Sequence, residues 1–187
     1  MSPTDVVNQA KAKFNQAAEH FAEEAKKIRT GRAHAGMLDG VMVEAYGSPT
    51  PLNQVANVTA PEAQLLQITP FDPTNLPAIS TAIRDNQSLG LNPSDDGRIV
   101  RVPIPPLNEE RRREYVKVLN GKVEDSMVTL RNVRHEALKT IDEAKKDKDI
   151  GEDEAKRVTA QIDEVMNAAK GSIEATAKTK ESEIMTV

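Results

Sequence analysis

The sequence has no cysteine and no tryptophan, only three histidines, and an aromatic content of 3% over 187 residues. Without cysteine there is no disulfide, no thiol nucleophile and no thiolate-ligated zinc. His20, His34 and His135 are far apart in the chain, which argues against a metal centre built on imidazoles. No run approaches the roughly 18 apolar residues of a membrane span, and Met1 to Val7 lacks the basic and apolar regions of an export signal. These absences predict a soluble, cytosolic chain, long enough for one large or two small domains.

Catalytic signatures are missing as well. Gly31 and Gly36 have phosphate-loop spacing, but Met37-Leu38 stands where a lysine and a hydroxyl would have to reach phosphate and magnesium. His135-Glu136 opens a zinc-protease pattern that fails at Lys139, where the second histidine belongs. The many carboxylates sit in helical charge patterns, for which a solvated face is the default reading. No catalytic residue, metal ligand or cofactor site is therefore expected.

Proline is abundant, and its distribution is the informative part. Ten of the 11 prolines fall between Pro49 and Pro106, and residues 107–187 contain none. A proline inside a helix costs about 3 kcal/mol, so only the two flanking stretches are free to form long helices. Ser2-Pro3-Thr4-Asp5 reads as an N-cap, and Val7, Ala10, Phe14, Ala17, Phe21, Ala25 and Ile28 follow at helical spacing. That pattern stops near Thr30-Gly31, where glycine suits a helix end. A second helix is expected from Asn108, striped by Val116, Leu119, Val123, Met127, Leu130, Ala137, Ile141 and Ala144. After a break at Lys148-Asp149-Ile150-Gly151, a third uses Ala155, Val158, Ile162, Val165, Ala169, Ile173, Ala177 and Ile184. Three antiparallel helices sharing one narrow seam is the simplest arrangement.

Between these helices the language changes. Val41–Tyr46, Asn57–Thr59, Leu65–Thr69 and Ile99–Val102 have strand composition, and Leu76, Ile79, Ala82 and Ile83 permit one short helix. Gly47-Ser48-Pro49 reads as a turn. The expectation is an inserted small β/α/β domain over 31–106, with the helical bundle from 1–30 and 107–187. The two connections, at about 30–32 and 104–107, carry Thr30 and Gly31 on one side and Pro105, Pro106 and Leu107 on the other. They are the expected hinge.

Charge is sorted along the chain in the same way. The net −4 resolves into +2 for 1–32, −4 for 33–107, +1 for 108–150 and −3 for 151–187. Within 111–139, eight lysines and arginines face four carboxylates. Local charge decides whether a phosphate backbone is attracted. Arg131 and Arg134 are helical neighbours with few acids near them in sequence, and Arg134 falls close to the apolar stripe. A guanidinium suits phosphate, and so few aromatics favour folded RNA over stacked single strands.

A set of local motifs runs in order through the chain. It comprises Ile28-Arg29-Thr30-Gly31-Arg32-Ala33, Tyr46-Gly47-Ser48-Pro49-Thr50-Pro51-Leu52, Ala56-Asn57-Val58 and Gly90-Leu91-Asn92-Pro93. Val102-Pro103-Ile104-Pro105-Pro106-Leu107, Glu109-Glu110-Arg111-Arg112 and Arg131-Asn132-Val133-Arg134 complete it. Together they resemble the ribosome recycling factor family from end to end. The resemblance implies an α+β, L-shaped molecule, a long antiparallel three-helix bundle with the inserted domain. It also implies a role after translation termination, in which the ribosome is split into subunits together with elongation factor G. The bundle would lie against large-subunit ribosomal RNA, with Arg29, Arg32, Arg131 and Arg134 as RNA contacts and Arg112 as a lesser one. His135 stands where relatives often carry another basic residue. A monomer with no membrane or DNA partner is implied too. The competing reading from the residues alone is a coiled-coil scaffold or chaperone-like interaction protein. An RNA-processing enzyme is disfavoured by the missing nucleophile and metal motifs.

Overall fold

A computed structural model describes residues 1–186. Its helices are α1 (Pro3–Lys26), α2 (Leu52–Val55), α3 (Leu76–Asp85), α4 (Glu109–Lys146) and α5 (Glu152–Met185). Its strands are β1 (Met42–Ala45), β2 (Ser48–Pro51), β3 (Ala56–Glu62), β4 (Leu65–Pro70), β5 (Ser94–Asp95) and β6 (Val100–Pro103). They fall into two compact units, one formed by Met1–Thr30 with the chain from Glu109 onward, the other by Gly31–Asn108.

The helical unit closes on a single seam. Phe14 and Phe21 of α1, Leu119, Leu130 and Ile141 of α4, and Ile162 and Ile173 of α5 are all almost wholly buried there. Alanines Ala10, Ala17, Ala25, Ala137, Ala155 and Ala169 fill the same core, which lets long helices approach closely over their length. Val6, rather than the expected Val7, is the buried valine near the start of α1; Val7 packs at the edge. Among the described residues Ser126 is the one buried polar residue of the helical unit, and its hydroxyl donates to the Lys122 carbonyl one turn back.

Each helix end has a physical cause. Ser2 and Asp5 form a reciprocal capping box, with the Asp5 amide donating to Ser2 Oγ at 3.2 Å and the Ser2 amide donating to Asp5 Oδ2 at 3.0 Å. α1 stops at Lys26, where the amides of Lys27 and Ile28 turn back to Glu24 and Ala25 in tighter i→i−3 bonds. Gly31 therefore does not cap the helix, as its place in the sequence suggests. It has φ +77, and a Cβ there would sit 3.2 Å from the Leu107 amide nitrogen and 3.3 Å from Leu107 Cγ. Glycine is needed because the incoming and outgoing chains of the smaller unit touch at this point. At the far end, the Asp149 amide donates to the Ala144 carbonyl and the Lys148 amide to that of Lys145. This is a Schellman closure with Lys148, φ 61, in the left-handed position that glycine usually occupies.

α4 runs antiparallel to both neighbours. Lys13 reaches Glu136 at 2.9 Å, and Glu24 reaches Lys122 at 2.8 Å, so the end of α1 lies beside the early turns of α4. Glu24 also accepts from Lys27 at 2.9 Å. The hydrogen bond from Lys122, reinforced by the one from Lys27, lowers the Glu24 carboxyl to about 2.

The smaller unit holds a four-stranded antiparallel sheet in the order β3-β4-β6-β5, with the β1–β2 hairpin as a separate sheet. Leu66 and Ile68 of β4 and Val100 and Val102 of β6 alternate inward onto Leu76, Ile79 and Ile83 of α3. All four expected strands and the expected helix are present, but β2, α2 and β5 lie outside the sequence reading. The segment read as a turn, Gly47-Ser48-Pro49, already belongs partly to β2, since Ser48 pairs with Ala45. The turn proper is Tyr46-Gly47, with φ 54 and 81, the left-handed pair that closes a two-residue hairpin. β2 tolerates Pro49 and Pro51 because it pairs only with β1, as an edge strand. Asp96 closes the β5–β6 hairpin by accepting from the amides of Ile99 and Arg98 and from Arg101; these bonds lower its carboxyl to about 2.

Two measurements test this account. Lys148→Gly should stabilise the bundle by about 0.5–1 kcal/mol, because a side chain leaves a left-handed position; an unchanged or lower calorimetric Tm would contradict it. Glu24 titrates lower when folded, so its stabilisation is complete above its ordinary value near 4.5 and fades as pH falls towards about 2. The Tm gap between the parent and Glu24→Gln should accordingly shrink across that interval. A gap independent of pH would show that Glu24 is not held charged by Lys122.

Candidate nucleic-acid interface

α4 offers a long platform for charge. Its 38 residues span about 57 Å at 1.5 Å per residue. Arg113, Lys117, Arg131 and His135 fall within about 40° of one another on an ideal helical wheel. Arg131 and Arg134 are one turn apart, whereas Arg112 lies roughly 28 Å earlier along the same helix. Arg29 is exposed just past the end of α1, at the end of the bundle that also holds the first turns of α4. Arg32 is exposed and belongs to the smaller unit. The four arginines of the helical unit thus do not form one compact pocket; they mark separate points along it.

Their partners differ from the sequence reading in an instructive way. Arg131 and Arg134 were distinguished there by the scarcity of nearby acids, yet both are paired. Arg131 Nη2 meets Glu124 Oε1 at 2.8 Å, two turns back along the helix, and both side chains remain largely exposed. Arg134 donates from Nε to Asp163 Oδ1 at 2.6 Å and from Nη2 to Asp163 Oδ2 at 3.4 Å, forming a two-pronged bridge from α4 to α5. The Asp163 hydrogen bond raises the Arg134 pKa further, so the guanidinium carries its charge permanently. Arg134 retains 40% side-chain exposure, so the pair is not sealed from solvent. By contrast, Arg29, Arg32 and half-buried Arg112 have no ion-pair partner among the described residues.

Asp163 is the partner of Arg134 that sequence reasoning missed. It lies 29 positions from Arg134, a separation set only by the α4–α5 reversal. The one available signal was the placement of Arg134 near the apolar stripe, which required a partner for its charge. Asp163 both satisfies that requirement and fixes the plane of the guanidinium. The first turn of α4 is more nearly neutral, since Arg113 is bound to Glu109 at 2.5 Å.

Chemically, such a surface can bind an anion-bearing polymer. Among the described residues no group of His, Asp or Glu could hold a metal ion, and no helix is long and apolar enough to cross a membrane.

Comparison with known proteins agrees with this architecture over nearly the whole chain. The family model described as "Ribosome recycling factor" matches residues 21–185. The ribosome-recycling factor of Bifidobacterium adolescentis is 43% identical over 182 residues, covering 97% of this chain and 98% of that protein. The Streptomyces coelicolor ribosome-recycling factor is 44% identical over 179 residues, 96% of each. A solution structure of the ribosome recycling factor superposes with a TM-score of 0.77 at 35% identity, covering 100% of this chain and 99% of that one. A second, with a TM-score of 0.65 at 36% identity, covers 99% of this chain and 100% of the other. It comes from models of the T. thermophilus ribosome recycling factor and the E. coli elongation factor G bound to the E. coli post-termination complex. This chain belongs to the ribosome recycling factor family, a family of translation factors rather than enzymes.

Proposed function

We propose that this protein recycles ribosomes after termination, splitting the post-termination complex together with elongation factor G in the cytoplasm. The observation that carries the proposal is end-to-end family membership together with a stiff helical unit whose longest helix bears arginines at intervals. The relative in the post-termination complex supports the choice of partners. The helical unit binds large-subunit ribosomal RNA through Arg29, Arg131 and Arg134, with Arg112 as a lesser contact at the start of α4. Arg32 contributes from the smaller unit. The protein acts as a monomer and needs no catalytic group: it favours one ribosome conformation by binding it more tightly than another.

The smaller unit moves while the bundle stays bound. Its chain enters at Thr30-Gly31 and leaves through Pro105-Pro106-Leu107, and Gly31 and Leu107 lie against each other. Two short crossings side by side permit rotation without the threading that distant connections would impose. Proline on one crossing limits the number of backbone dihedrals that can take part.

The Asp163 bridge makes the charge test specific. Arg134→Ala should weaken ribosome binding several-fold and flatten its salt dependence, because one phosphate contact fewer releases fewer counterions. Asp163→Asn removes the bridge but keeps the cation, so it should bind as well as the parent in the same pelleting assay. Equal loss in both variants would mean that Arg134 serves the bundle rather than RNA. Joining the two units by a covalent cross-link should leave ribosome binding intact and abolish subunit splitting with elongation factor G and GTP. Splitting at the normal rate by the cross-linked protein would show that the motion is not required.

A further inference from the structure

Of the five aromatic residues, Phe14 and Phe21 are sealed in the helical seam and Tyr115 packs partly against it. The remaining two, Tyr46 and Phe71, both belong to the smaller unit and are 76% and 68% exposed. Asp72 links the two segments: Tyr46 Oη donates to Asp72 Oδ2 at 3.2 Å, and Asp72 follows Phe71 in the chain. Met42, half exposed, and Glu44 point outward from β1, the strand that leads into the Tyr46 turn. Large apolar groups gathered at one exposed corner of a small domain call for an explanation.

The corner is also held rigid. Tyr46 occupies a left-handed backbone position that favours glycine or asparagine, so the turn accepts strain to keep a tyrosine there. Its hydroxyl accepts from Asn75 Nδ2 at 3.3 Å, and Asn75 is itself buried. Asp72 is fixed on its other oxygen by the Thr74 amide at 3.0 Å and the Thr74 hydroxyl at 2.8 Å. These bonds lower the Asp72 pKa, with the Thr74 amide the largest cause, so the carboxylate stays charged beside the rings. A ring presented to solvent and clamped at its hydroxyl by a carboxylate is preorganised for a partner that is flat, apolar on its face and positively charged.

We propose that Tyr46 and Phe71, with Glu44 and Asp72, form a docking surface for an arginine-bearing face of a basic protein. Guanidinium groups stack on the two rings while their edges meet the carboxylates. Charge complementarity selects this occupant over nucleic acid. The smaller unit carries seven carboxylates against four arginines, and two of those arginines are engaged, Arg101 with Asp96 and Arg84 with Ser80. Phosphate would be repelled where a guanidinium is attracted. The surface lies within the smaller unit alone and does not depend on the arginines assigned to RNA.

With two tyrosines and three phenylalanines in the chain, ring-proton NMR resolves the contact directly. A tetra-arginine amide added to the full-length protein at low salt should shift the Tyr46 and Phe71 rings and leave Phe14, Phe21 and Tyr115 unmoved. Tetralysine should bind several-fold more weakly. Phe71→Ala removes an exposed ring, and Tyr46→Asn installs the Asn-Gly pair that this turn prefers, so both variants should fold. Each should weaken tetra-arginine at least fivefold, and Asp72→Asn should weaken it too. Parent-like binding by both ring variants would overturn the proposal, as would peptide-induced shifts confined to Tyr115. Oligouridine moving the Tyr46 and Phe71 rings where tetra-arginine does not would assign the surface to nucleic-acid bases instead.

Discussion

The structure depends on burying a narrow apolar seam along three long, highly charged helices. None of them is apolar enough to be stable alone in water, and each becomes so by closing the same strip against the other two. Phe14 and Phe21 supply bulk where the helices leave space, and alanines let the backbones approach elsewhere. Everything outside the seam is free to be charged, which is why so much of this unit's surface is lysine, arginine, aspartate and glutamate. A helix held along its length by packing, rather than at a few points, is a stiff support for groups spaced tens of ångströms apart.

Stiffness and charge are combined most clearly at Arg134. A guanidinium close to an apolar seam is costly without a partner, and Asp163 supplies one from the neighbouring helix. The bridge ties α4 to α5 and still leaves the Arg134 side chain 40% exposed. Glu24 works in the opposite sense. It gathers Lys122 and Lys27 onto one carboxylate and uses their charge within the bundle. The net charge of the molecule says little about either; what matters is which cations are spent on internal bridges and which still face outward.

The smaller unit solves a different problem with different residues. Prolines that would break a helix are accommodated on an edge strand and at the crossings to the bundle. Its exposed Tyr46 stands on a left-handed turn that a glycine or asparagine would form more cheaply, and a buried asparagine and a fixed carboxylate hold its hydroxyl. Local strain retained at an exposed aromatic residue is a cost that folding alone does not explain.

Periodicity and proline placement were sufficient to place the three long helices and locate most of their buried residues, because both act locally along the backbone. The capping box at Ser2 and Asp5 was legible for the same reason, and so was the family motif set. Short elements escaped: β2 hides behind two prolines, and β5 has only two residues. Gly31 looked like a helix cap, but only the folded chain reveals the approach of Leu107 that demands it. The partners of Arg131 and Arg134 were likewise invisible, since an ion pair joining residues 29 apart is a product of how helices meet. Local preference belongs to the sequence; the pairing of distant charges and the rings left facing water were decided by tertiary structure, because only packing sets which groups meet and which stay solvated.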